Sequence, residues 1–140
     1  MRVHVQNIVN QEKNRIRQKE RENNRIRCER IKKDPLAPYC EFIIKNVCEE
    51  LGQSVEDIKG KCRDMEFVEC RFLILSLINM NTSFKEYSAI FIEKDRTTFY
   101  NSIEKVDDFL MTPKQKARFE KLKNSCALSA YNRSVSVDKI

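Results

Sequence analysis

The chain has no tryptophan, two glycines, three prolines and a single histidine in 140 residues. So few glycines starve the tight turns of a many-stranded fold, and so few prolines leave long stretches free to wind; both shortages point to an all-α protein. The histidine, His4, stands far from the cysteines at 28, 40, 48, 62, 70 and 126, and no C-x-x-C pair occurs. Those spacings suit neither a zinc site nor a disulfide framework, so no metal or cofactor is expected. No G-x-x-x-x-G-K-S/T string exists, and no cysteine or serine has a general base nearby in sequence, so an enzyme is not expected. Long hydrophobic runs are missing too. "FVECRFLILSLINM" is short and broken by Glu69 and Arg71, and "MRVHVQNIVNQEKNR" reaches charge at once. A soluble, cytoplasmic protein with no membrane partner is the expectation.

What the chain has in plenty is charge, unevenly placed. Residues 1–35 carry eleven Lys/Arg against five Asp/Glu, whereas residues 36–140 carry sixteen of each, so the whole net charge of +6 sits in the first quarter. A basic segment beside a neutral domain points to a polyanionic partner, although solvated basic helices without one are common. Within it the string NRIR recurs at 14–17 and 24–27, placing Arg15, Arg17, Arg25 and Arg27 as candidate phosphate contacts. Isoleucines at 16, 26 and 31 are too sparse for a heptad seam. The segment reads as a basic helix or a disordered arm, ended by Pro35 and Pro38. The expected organisation is an arm at 1–35, a helical domain at 36–124 and a loosely attached tail at 125–140.

From Tyr39 the pattern changes. Cys40, Ile43, Ile44, Val47, Cys48 and Leu51 recur at helical spacing, which also makes Cys40 and Cys48 small core hydrophobes. Gly52 is placed to end that helix, and Ser54 to cap the short "VEDIKG". Cys28 and Cys126 lie off such stripes and are expected to stay exposed thiols. Residues 66–80 are apolar around nearly the whole circumference, so this helix should be the centre of the fold. Ser83 and Glu86 have capping-box spacing for a helix over 83–91. Asp95 is placed to cap a helix over 95–110 with Phe99, Ile103, Val106 and Leu110 buried, and Thr112 with Pro113 begins a last basic helix.

The helices at 83–91 and 95–110, joined by a short turn and packed on an apolar helix, have the layout of a helix-turn-helix. In that motif the first turn of the second helix enters the DNA major groove. Lys94, Arg96, Thr97, Tyr100 and Asn101 lie off the buried stripe at that end. Arginine pairs with guanine edges or phosphate, threonine donates to phosphate or touches a thymine methyl, and lysine adds a phosphate contact. On residue types alone, a capped helix start without any ligand is the better account of the stretch, since helix pairs with capped starts are common in α-helical proteins.

Residues 42–110 resemble the C-terminal DNA-binding domain of the bacterial replication initiator DnaA, a Trp-repressor-like helical domain. "IIKNVCEELGQSVEDIKGKCR" is similar to that domain's opening helix, short second helix and basic cluster, and "NTSFKEYSAIF" to its first helix-turn-helix element. "KDRTTFYNSIEKV" resembles its R-D-H-T-T-V signature. The resemblance implies that Lys94, Asp95, Arg96, Thr97 and Thr98 contact DNA in the major groove, with Lys61, Arg63 and Arg71 at matching basic positions. Met65 and Glu69 depart from the family, which has arginines there; Arg96 replaces its histidine, and "IEK" its double glycine.

Three functions fit these residues. One is binding of double-stranded DNA, in replication or its regulation, with a replication or regulatory protein as a further partner. The second is a protein interaction module that keeps the fold but has lost DNA recognition, to which Met65, Glu69, Glu104, Asp107 and Asp108 point. The third is RNA binding by the arginine-rich arm. Oligomeric state is open.

Overall fold

The structure, a computed structural model, describes residues 2–138, with side chains over 5–135; the side chain of His4 lies outside the described residues. Every regular element among them is helical, and none is long and apolar enough to cross a membrane. The chain divides into two compact units, Met1–Asp34 and Pro35–Ile140.

The first unit is one helix, α1, Arg2–Lys32. Its polar surface is laced by ion pairs one turn apart, Arg15 to Glu12 at 2.7 Å and Arg25 to Glu22 at 2.5 Å. The hydrogen bond from Arg25 holds the Glu22 carboxyl below its ordinary range. Val5, Ile8, Val9, Ile16 and Ile26 are exposed along it, and no continuous apolar seam joins them.

The second unit is built around α4, Met65–Asn81, in which every residue from Cys70 to Ile78 is buried. A helix apolar on all sides must be enclosed. The enclosing elements are α2 (Ala37–Leu51), α3 (Val55–Lys59), α5 (Arg96–Lys105) and two 3-10 segments, Lys85–Ile92 and Val106–Phe109. Pro38 is tolerated in the first turn of α2, where its missing N–H costs no hydrogen bond. Gly52, at φ 70°, ends α2 as expected, with the Gln53 amide returning to the Cys48 carbonyl at 2.9 Å. Ser54 caps α3 by accepting from the Asp57 amide at 3.1 Å.

Four local expectations are corrected. The segment over 83–91 is a 3-10 helix rather than an α-helix: Ser88 with Phe91 and Ala89 with Ile92 are buried three residues apart, a spacing that the tighter winding aligns. The Ser83–Glu86 box does not form, because Thr82 makes the local bonds, donating to the Ile78 carbonyl at 2.8 Å and accepting from the Phe84 amide at 3.4 Å. The helix expected over 95–110 stops at Lys105 and tightens into the second 3-10 segment; Ser102 and Phe109 are buried, Val106 and Leu110 are half-buried, and Ile103 faces outward, 45% exposed. Phe109 then meets Phe72 edge-on at 5.9 Å.

The fourth correction concerns the C-terminal segment. α6, Pro113–Ser125, begins with the expected Thr112 cap, completed by Gln115, whose side chain accepts from the Thr112 amide at 3.0 Å. Beyond it, α7 (Leu128–Asp138) is attached by aromatic packing: the Tyr131 ring lies 5.3 Å from Tyr39 and 5.2 Å from Phe42. Cys126 is fully buried rather than exposed, and its carbonyl accepts from the Tyr39 hydroxyl at 2.5 Å. Cys28 is half-buried, and Cys40 and Cys48 are in the core, with the Cys48 and Cys70 sulfurs 4.0 Å apart.

Burial, joined by the neighbouring Cys126 and Cys40, pushes the Tyr39 phenol up from 10.0 to about 12. The fold therefore favours the neutral phenol. That contribution is complete below pH 10 and is lost as pH rises through 12. Replacing Tyr39 with Phe should cost about 1–3 kcal/mol, because the Cys126 carbonyl is left without its donor. Thermal melts of both proteins across pH 8–12 should show a lower melting temperature for the variant and a shallower alkaline decline.

Candidate nucleic-acid interface

The site is assembled from two short connections held against the first turns of α4 and α5. At the start of α5 the backbone turns through Glu93, which takes a left-handed conformation at φ 56° where a glycine would be unstrained. Such a conformation costs a side-chain-bearing residue about 1 kcal/mol. The Glu93 and Lys94 amides close the turn onto the carbonyls of Ile90 and Ala89 at 3.1 and 2.9 Å. Asp95 then caps α5 as expected, accepting from the Thr98 amide at 3.2 Å. The turn thus closes without a glycine.

The second connection, residues 60–64, links α3 to α4 and carries Lys61 and Arg63, both exposed. Between the two lies a groove of about 790 Å³ lined by Lys61, Arg63, Lys94, Asp95, Thr97, Thr98 and Asn101, with Val68, Arg71, Phe72 and Glu93 completing it. Four cations and two carboxylates face this space, so its field favours an anion. Arg96 and Tyr100 are exposed on the same helix but do not line the groove. Arg15, Arg17, Arg25 and Arg27 are exposed on α1, in the other unit.

Two site residues differ from expectation. Arg71, expected to touch DNA, is 5% exposed. Its guanidinium donates to the carbonyls of Ile58 at 2.8 Å, Cys62 at 2.6 Å, Gly60 at 3.0 Å and Asp57 at 3.3 Å. An arginine within a helix that is buried all round has to find acceptors inside the fold, and the end of α3 supplies them. Lys94 is half-buried, and its ammonium donates to the carbonyls of Gly60 and, at 3.2 Å, Lys59. Burial, then the Arg71 charge, lowers the Lys94 pKa. Burial likewise lowers that of Arg71.

The two departures from the family also take on definite environments. Met65 is exposed at the start of α4. Glu69 is paired with Arg118 of α6, both side chains largely covered, so its charge is neutralised within the protein. Glu104, Asp107 and Asp108 are exposed, the last two in the 3-10 segment beyond the end of α5.

Residues 40–106 match a family model described as the bacterial DnaA protein helix-turn-helix. They are a DnaA-type helix-turn-helix domain. The match takes in most of α2, all of α3, α4 and α5 and both connections of the groove, while α1, α6 and α7 lie outside it. The DnaA-type family is one of DNA-binding domains. No curated protein and no solved structure matches the chain.

The contribution of the Asp95 cap to the DnaA-type domain is open to measurement. Asp95→Ala should cost about 1 kcal/mol of stability by removing an N-cap, whereas Asp95→Asn should stay near wild type. Denaturant unfolding of both variants reads the difference; equal losses would mean that the charge, and not the cap, is what matters.

Proposed function

We propose that this chain binds double-stranded DNA, with α5 presented to the major groove and the basic arm at 1–35 adding phosphate contacts. The observation that supports it most directly is the juxtaposition of Lys61 and Arg63 with Thr97 and Asn101 across one basic groove at the start of α5. In this reading Lys61, Arg63 and the Thr97 and Thr98 hydroxyls meet phosphate, while Arg96, Tyr100 and Asn101 face base edges. Asp95 is foremost the cap that sets the helix start. Glu69 places no repulsive charge there, because Arg118 neutralises it. A role in replication or its regulation is the finer part of the proposal and rests on the DnaA-type domain.

The arm balances the second unit, whose sixteen basic and sixteen acidic residues beyond position 35 cancel. The ion pairs of Arg15 and Arg25 are exposed and readily exchanged for phosphate. The alternative of a protein interaction module is favoured by one observation: Tyr100 and Ile103 are exposed one turn apart on α5, with Glu104 beside them. A gel shift with mixed duplexes at low salt separates the two, since a pure interaction module gives no shift; competition with RNA tests the arm's preference.

If four to eight arm residues neutralise phosphates, the log-log dependence of affinity on salt should have a slope of about −4 to −7. Deleting residues 1–33 should flatten that slope, and an unchanged slope and affinity would refute the arm's role. On a preferred duplex selected from a random pool, Arg96→Ala should cost about 1–3 kcal/mol and relax preference at one position. A uniform loss on all sequences would make Arg96 a phosphate contact.

A further inference from the structure

The connection that carries Lys61 and Arg63 has no apolar anchor. Every side chain from Lys61 to Glu66 is exposed, so hydrophobic burial does not hold the segment in place. What reaches it from inside is charge. Arg71 sits two turns into α4 with its Cα held by the packed core, and its four acceptors are all backbone carbonyls, from Asp57, Ile58, Gly60 and Cys62. Lys94, from the turn before α5, donates to Lys59 and to the same Gly60 carbonyl. Five of the six carbonyls from Asp57 to Cys62 thus point at two cations.

We propose that Arg71 is the positioning residue of this interface: its guanidinium, with the Lys94 ammonium, gathers the carbonyls of residues 57–62 inward, so that Lys61 and Arg63 project into the groove beside Thr97. This rests on the DNA-binding reading for its functional consequence and on the geometry alone for the loop.

The chemistry requires an arginine. A planar guanidinium offers five N–H donors in a fixed fork and so can serve carbonyls that diverge along a chain; an ammonium offers three on a flexible stem. Because none of its acceptors is a carboxylate, Arg71 keeps its full positive charge at the floor of the groove. Two like charges sharing the Gly60 carbonyl repel, and an anion in the groove relieves that repulsion. The same contacts that order the loop therefore raise the groove's affinity for phosphate. Gly60 allows the close approach: a Cβ there would stand 3.3 Å from the Asp57 carbonyl oxygen and crowd the turn.

The test uses the full chain with Arg71→Met, Arg71→Lys, the pair Lys61→Ala/Arg63→Ala, and the triple variant that combines the pair with Arg71→Met. Trypsin cleavage after Lys61 and Arg63, mapped by fragment mass, reads the loop directly. It should be severalfold faster in Arg71→Met while circular dichroism still shows a cooperative melt, with Arg71→Lys in between. On duplex DNA, Arg71→Met should lose affinity by about the factor lost in the Lys61/Arg63 pair, with a salt slope shallower by about 2. The triple variant should bind no worse than the pair. Unchanged trypsin cleavage overturns the proposal whatever the DNA result, and so does a triple variant in which the losses multiply. Faster cleavage in a protein that binds no duplex even as wild type upholds the loop and refutes the DNA reading instead. Should Arg71→Met fail to fold, Arg71→Lys and Lys94→Met supply the same comparison: faster cleavage supports the proposal, and wild-type cleavage in both overturns it.

Discussion

The requirement that α4 be enclosed governs the rest of this protein. A helix buried over every residue from Cys70 to Ile78 leaves no face for solvent, so α2, α3, α5 and both 3-10 segments are arranged around it. The same enclosure dictates the fate of Arg71. A charge cannot be buried without partners, and the acceptors within reach are the carbonyls of Asp57 and Ile58 at the end of α3 and of Gly60 and Cys62 just beyond it. A single constraint in the core thereby fixes a surface loop whose carbonyls lie 9 to 14 residues earlier in the sequence.

The groove that results combines two kinds of positioning. At α5 it is local: Asp95 caps the helix, Glu93 accepts a left-handed conformation, and the turn closes through backbone bonds within six residues. At residues 60–64 it is long-range, since the anchoring cations come from α4 and from the turn before α5. Short-range devices fix where α5 begins. Long-range ones set where the flanking cations stand relative to it.

Within the second unit, the two helices beyond the family match, α6 and α7, tie themselves to this core by ordinary means. α6 pairs Arg118 with Glu69 and Lys121 with Glu50, at 3.1 Å for the latter. α7 adds the Tyr131 ring to Tyr39 and Phe42. Much of the basic charge of α6 is therefore engaged with acids of the second unit or of its own helix, Lys123 pairing with Glu120. The surplus of basic residues over acidic ones lies in residues 1–35, most of which form α1.

Most of the element order was legible in the sequence because its signals are local. The Gly52 stop, the caps at Ser54, Asp95 and Thr112 and the stripe on α2 each depend on a few neighbouring residues, and the all-round apolarity of 66–80 announced the central helix. The D-x-T-T stretch was equally plain as a helix start. The break at Lys105, the 3-10 winding of 85–92 and the packing of Tyr131 and Cys126 depend on what lies opposite, which no local pattern contains. The arginine inside "FVECRFLILSL" was expected at the DNA, because nothing local shows that backbone carbonyls at 57–62 would receive it. By itself, the sequence determined an all-α protein with a basic arm and a capped helix bearing DNA-type residues, because periodicity, capping and charge are properties of adjacent residues. Only the tertiary structure decided that Arg71 and Lys94 turn inward, that Glu69 is neutralised by Arg118, and that Lys61 and Arg63 stand beside Thr97, because hydrogen-bond partners distant in the chain are chosen by packing.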